Sequence, residues 1–242
     1  MTTKPKTKNI PEEVLENITQ DNLRPRDLTT QDIKELLQAT APDKDGMVEL
    51  INVSFICDKD YILREPNKEY IRKELLWYRS QSLFVKDMGA PIPKIWEDVS
   101  STEGKINSNY GWCIFSAANN YQYASAREQL LKDKNTRKAI MIYTRPSIQS
   151  EWNTNEMSDF ICTNNVQVFI RDDKLIYIVN QRSCDAVFGF GNDLAWHKYV
   201  YKLLLEDMQT RYPEIVAEPI NYICGSLHVY PIHHKLLEEC PE

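Results

Sequence analysis

A chain of 242 residues with 42% hydrophobic and 26% charged positions can form one large globular domain, which excludes disorder as a general description. Its formal charge of −6 leaves no basic footprint for duplex nucleic acid, although a local Arg/Lys cluster can still hold a small anion. Seven glycines are too few for collagen-like repeats or Gly-rich phosphate loops, and no apolar run reaches the ~20 residues of a membrane helix.

Along the chain, residues 1–27 are polar and punctuated by proline. They read as a loosely packed arm with one short helix around 12–18, and they carry no apolar signal-peptide core. The expected location is therefore cytoplasmic, with no direct nucleic-acid or membrane binding. Thr29-Thr30-Gln31-Asp32 reads as a capping box ahead of a helix with Ile33, Leu36 and Leu37 on one face. Asp43-Lys44-Asp45-Gly46 is a turn signal and 47–56 a strand. The spacing of Ile71, Leu75 and Tyr78 predicts a helix over 69–85, and a second helix follows over 121–131. Lys138–Thr144 reads as a strand. VQVFI and KLIYIVN, flanking Arg171-Asp172-Asp173, read as a hairpin. Leu194, Tyr201, Leu204 and Met208 predict a long helix over 193–212, and INYICGSLHVY closes the chain with strands. This irregular order of strands and helices points to an α+β fold.

Six cysteines (Cys57, Cys113, Cys162, Cys184, Cys224 and Cys240) contain no Cys-x-x-Cys pair. A zinc ribbon is excluded, no metal is expected, and free thiols are. Polar chemistry is densest between Asp159 and Tyr230. That stretch holds Cys162, Gln181-Arg182-Ser183, the run Phe188-Gly189-Phe190-Gly191-Asn192-Asp193, and His228-Val229-Tyr230. Each has a bland alternative. Arg182 reads equally as a surface charge, the glycines as a strand-to-helix turn, Asp193 as a helix N-cap, and His228 as a core histidine.

Together these segments resemble the thymidylate synthase family. The resemblance rests on Glu74-Leu75-Leu76-Trp77-Tyr78, Ile95-Trp96, Asn107-Ser108-Asn109-Tyr110-Gly111, Arg137-Lys138 and Ile161-Cys162-Thr163. It continues through Gln181-Arg182-Ser183-Cys184-Asp185, Gly189-Phe190-Gly191-Asn192-Asp193-Leu194-Ala195 and His228-Val229-Tyr230, in the family's order over about 44–234. Where the family reads its pyrimidine with Asn, this chain has Asp193. That change resembles the bacteriophage branch that hydroxymethylates deoxycytidylate, as do SLFVKD, INSNYGW, IMIYTRPS, MSDFICTN and VFGFGND.

The resemblance implies a single domain over 1–242, with a mostly antiparallel mixed sheet, helices packed on one face, and a homodimer formed through the sheets that shares its active sites. It implies dCMP as substrate and 5,10-methylenetetrahydrofolate as co-substrate. Cys162 would add to C6 of the pyrimidine as a thiolate favoured by Arg182. Glu74 would be the general acid/base, assisted by Tyr110, and Asp193 would accept from the cytosine amino group. Arg182 and Ser183 would hold the 5′-phosphate with Arg137 and Lys138 donated by the second subunit, and Lys44 is a further phosphate candidate. Gln181 also falls in the substrate set. His228 and Tyr230 would bond the deoxyribose, while Trp96, Asp185 and Gly189 would contact the pterin. Val99, where the family has a second Trp, and the absence of an apolar C-terminal tail after His234 both favour water over hydride in the last step. The alternatives are a deoxyuridylate hydroxymethylase or a pyrimidine C5-methyltransferase of the same family, and a non-catalytic nucleotide-binding module.

Overall fold

The computed structural model describes residues 28–238. The expected N-terminal arm and Cys240 lie outside them. The strands are β1 (Leu28–Thr29), β2 (Val48–Ile56), β3 (Ile140–Ile142), β4 (Thr163–Arg171), β5 (Lys174–Asp185), β6 (Val216–Ala217) and β7 (Asn221–Val229). The helices are α1 (Thr30–Ala39), α2 (Lys68–Ser80), α3 (Lys94–Val99), α4 (Tyr110–Phe115), α5 (Gln122–Lys132), α6 (Ile148–Glu151), α7 (Gly189–Gln209) and α8 (Lys235–Glu238).

The strands form one sheet in the order β1-β2-β7-β5-β4-β3, with β6 beside β5. The pairs β2/β7, β4/β5 and β3/β4 are antiparallel, and the central β5/β7 pair is parallel. The fold is thus α+β with a mixed sheet. The β4–β5 hairpin turns on Asp172 and Asp173, both at positive φ (49° and 59°), which matches the natural twist of the two strands. On the inner face, alternate residues of β5 (Leu175, Tyr177 and Val179) are buried beneath α7. On the outer face, Ile51, Ile140 and Ile142 are exposed.

Two helix boundaries and one buried face differ from the sequence reading. Helix α2 stops at Ser80 because Gln81 adopts a left-handed C-cap (φ 60°), so 82–85 leaves the axis instead of extending the helix. The buried stripe of α2 is Glu74, Trp77 and Tyr78, with Ile71 and Leu75 only half-buried. The core therefore takes in a carboxyl where an aliphatic residue was expected. Helix α7 begins at Gly189, four residues earlier than the apolar spacing suggested. Asp185 accepts from the backbone N–H groups of Val187 (2.9 Å) and Phe188 (3.2 Å) just before it. Asp193 therefore sits in the second turn, and the N-cap reading of that residue falls. At the other end of the chain, the Thr29 capping box closes on Asp32 as expected, although Leu36 is exposed.

Candidate active site

A cavity of about 750 Å³ opens where α2, α3, α4, the 157–162 segment, the start of α7 and the ends of β5 and β7 converge. From α2 it takes Glu74, and from α3 Trp96. Tyr110 comes from α4 and Cys162 from the segment before β4. Strand β5 supplies Arg182, Ser183 and Asp185, α7 supplies Gly189 and Asp193, and His228 and Tyr230 close the wall. Lys44, Arg137 and Lys138 lie elsewhere on the chain's own surface, all exposed. Gln181 is buried directly behind the cavity wall.

Local packing fixes these positions. Gly111 lies so close to α2 that a Cβ there would come within 1.8 Å of the Tyr78 carbonyl oxygen, and this contact sets Tyr110 against Tyr78. A Cβ on Gly225 would meet the Arg182 carbonyl at 2.7 Å, so β7 can lie tight against β5 beside Arg182. Asp159 joins the segment bearing Cys162 to the one bearing Tyr110. Its carboxylate accepts from the N–H groups of Asn107 (2.6 Å) and Ser108 (2.7 Å) and from the Ser108 hydroxyl (2.5 Å).

The electrostatics of the site are those of a partly dry pocket. Arg182 donates to the carbonyls of Phe160 (2.7 Å) and Ile161 (3.1 Å), and its Nη2 lies 3.8 Å from Cys162 Sγ. The cation is beside the thiol, as the sequence implied, but it does not win. Burial and then the Asp193 charge push the Cys162 thiol up to about 12 against the pull of Arg182. Arg182 does pull toward the thiolate, as the resemblance implied, but removal from water penalises the charged form more than one cation repays. Burial also pushes Asp193 up to about 6, with hydrogen bonds from Gln181 and Tyr110 holding it down. Gln181 Nε2 donates to Asp193 Oδ2 at 2.7 Å and to Thr163 Oγ1 at 3.2 Å. Thr163 in turn donates to the Tyr110 hydroxyl at 3.0 Å. Glu74 is 5% exposed and is raised to about 8, chiefly by burial and against the hydrogen bond from Tyr70.

His228 is buried yet faces the cavity, with its ring edge-on to Tyr230, so it is not enclosed in the core. Asp185 both caps the approach to α7 and faces the cavity. Sequence reasoning missed Asp159 and Tyr70. The signal for the first was a lone carboxylate in the apolar stretch before Cys162. The signal for the second was its i,i+4 spacing from Glu74. A second cavity of about 530 Å³ adjoins the first and shares Tyr70, Ile95, Asp185, Phe188, Asn192 and Tyr230. Among the described residues no group of His, Cys, Asp or Glu is arranged to hold a metal ion, and no helix is long and apolar enough to cross a membrane.

The family profile described as "Thymidylate synthase" matches residues 63–240. The chain belongs to the thymidylate synthase family. It is 48% identical over 200 residues to the protein named deoxycytidylate 5-hydroxymethyltransferase of Enterobacteria phage T6, covering 81% of each chain. The protein of the same name from Enterobacteria phage T4 is 48% identical over 202 residues, again 81% of each. Among solved structures, thermostable thymidylate synthase A from Bacillus subtilis superposes with a TM-score of 0.62 at 17% identity, covering 88% of this chain and 86% of that one. At that identity the superposition speaks for the thymidylate synthase fold alone.

Proposed function

We propose that this chain transfers a one-carbon unit from 5,10-methylenetetrahydrofolate to C5 of dCMP with addition of water, giving 5-hydroxymethyl-dCMP. The observation that carries the reading is Asp193. A carboxyl, in place of an amide, faces the cavity that also holds Cys162 and Glu74, in a chain 48% identical to two phage proteins named for that reaction. Cytosine presents an amino donor at N4 and an acceptor at N3. A carboxyl accepts from the first and, when protonated, donates to the second. With its proton affinity raised to about 6, Asp193 can hold that proton near neutrality once the base is bound.

In this reading Cys162, its proton passed to solvent, adds as a thiolate through Sγ to C6, C5 becomes nucleophilic, and the C6–Sγ bond breaks again once the added carbon has left the folate and taken up water. Bound methylenetetrahydrofolate supplies the carbon. Trp96, Asp185 and Gly189 line the wall against which a pterin ring would stack, and the two adjoining cavities, about 750 and 530 Å³, leave room for nucleotide and folate together. Tyr110 assists removal of the C5 proton. Glu74 takes the proton of the water that completes the product, and Val99, small for a wall position, leaves space for that water. Arg182 and Ser183 hold the 5′-phosphate together with Arg137 and Lys138 of a second copy, with Lys44 as a weaker partner. Gln181 orients Asp193, and His228 and Tyr230 bond the deoxyribose. The unit is one thymidylate synthase-like domain in a homodimer that shares its sites, working in the cytoplasm. Mass spectrometry of dCMP and dUMP, each incubated with the chain and methylenetetrahydrofolate, tests the reading. The expected product is dCMP heavier by one CH2O, with tetrahydrofolate released. A methylated nucleotide with dihydrofolate, or dUMP as the preferred substrate, overturns it.

A further inference from the structure

Tyr70 and Glu74 stand one helical turn apart on α2, and the Tyr70 hydroxyl donates to Glu74 Oε1 at 2.6 Å. A third group completes the chain. Trp96 Nε1, at 2.9 Å from the Tyr70 oxygen, can only donate. The phenol oxygen therefore accepts from the indole, and its own proton points at the carboxyl. An indole–phenol–carboxyl chain of this kind strengthens along its length in a water-poor setting. Tyr70 also lines the wall shared by the two cavities and packs against the hydrophobic core, so its ring is held independently of the bond it makes.

We propose that Tyr70 is the positioning residue of Glu74: its phenol fixes the carboxyl from the preceding helical turn and sets the pH at which that carboxyl can take a proton from water. The inference rests on the reading of Glu74 as the acid/base group. The ionisable and polar groups that face Glu74 are Tyr70 and Tyr78 from its own helix, Trp96 from α3 and Asp193 from α7. Burial and the Asp193 charge favour the protonated acid, while the hydrogen bonds from Tyr70, Trp96 and Tyr78 favour the carboxylate, with that from Tyr70 the largest of the three. Tyr70 itself resists ionisation, since burial and the neighbouring Glu74 both push its proton affinity up. It therefore stays a donor throughout the working pH range.

The test is Tyr70→Phe, which keeps the ring and deletes the donor. The titration midpoint of Glu74 is read by infrared spectroscopy of the protonated carboxyl, with Glu74→Gln as the subtraction control. It should rise by about one to two pH units, the size expected for losing one hydrogen bond to a charged acceptor. The acidic limb of the kcat profile should move up by the same amount, so that kcat falls roughly ten- to a hundredfold at neutral pH and recovers in alkali. The Kd for dCMP should stay within about twofold. Trp96→Phe, which leaves Tyr70 in place without its donor, should move the midpoint in the same direction by less. An unchanged infrared midpoint in Tyr70→Phe overturns the proposal, as does a kcat loss of equal size at every pH. Failure of the functional reading looks different: the wild-type chain would then make no hydroxymethyl product, while the infrared midpoint would still decide the role of Tyr70.

Discussion

Replacing Asp193 by Asn changes one atom in the cavity wall and should move the choice of base. In the resting site Gln181 Nε2 donates to Asp193 Oδ2 at 2.7 Å, and the residue lines the cavity. An amide at this position satisfies Gln181 by turning its oxygen inward, and it then presents its NH2 to the base. That arrangement suits an O4 acceptor and opposes an N4 amino group. One mismatched buried donor costs about 1–3 kcal/mol, and each 1.4 kcal/mol is tenfold in rate. The ratio of kcat/KM for dCMP over dUMP should therefore fall by roughly ten- to a hundredfold. The variant also loses a titration. The Asp193 proton affinity is raised to about 6, so in the wild type the protonated form that donates to N3 is depleted as pH rises through that value. The apparent affinity for dCMP should weaken on the same side, whereas the Asn variant should be flat there. Competition kinetics with both nucleotides at pH 5.5 and 8 reads both effects. An unmoved ratio would mean that Asp193 does not touch the base.

Cys162→Ser should abolish turnover while leaving dCMP binding measurable by calorimetry; a fully active serine variant would refute the covalent route. In mixtures of Arg137→Ala and Cys162→Ser chains, hybrid dimers should regain activity, because one site combines Cys162 from one copy with Arg137 from the other. Silence after confirmed subunit exchange would place each site within one chain. Glu74→Gln should raise the melting temperature at pH 7.5. The folded chain holds the Glu74 proton up to about 8 against an ordinary 4.5, so between those values the folded state binds more protons and loses stability as pH rises. The gain should vanish near pH 4.5, and a pH-independent gain would refute the linkage.

Much of the frame was legible because its signals are local. The Thr29–Asp32 box, the Asp172-Asp173 turn and the apolar stripe Leu194, Tyr201, Leu204 and Met208 all depend on a few neighbouring residues, and each appears in the structure. The boundaries that slipped depend on contacts made at a distance. Helix α2 ends on Gln81 in the left-handed region, where sequence rules look first for glycine. The start of α7 was hidden by Gly189 and Gly191, which read as a turn. In the fold Gly191 is a contact point, where an added Cβ would press on Pro66 at 3.1 Å.

The site was legible as a set of residue types but not as an electrostatic balance. Sequence places Arg182 in the same motif as Gln181 and Ser183, and in the fold it does reach Cys162; only the geometry shows that burial, with the Asp193 charge, outweighs it. Glu74 and Asp193 both face one cavity, and the Asp193 charge raises the cost of ionising both Glu74 and Cys162. A core that merely held the fold together would not keep them there, since a buried carboxyl without a cationic partner costs stability that an apolar residue of similar size would return. The expense is tolerable where a proton must be held near neutral pH. The same dryness that disfavours a resting Cys162 thiolate keeps the proton on Glu74 and raises the proton affinity of Asp193, so on the proposed reading the nucleophile is quiet until a substrate rearranges the charge around it. On the proposed reading, the breaks in the apolar pattern of α2 and α7 and the chemistry of the cavity have one cause: these helices give up core positions to groups whose protons the reaction needs.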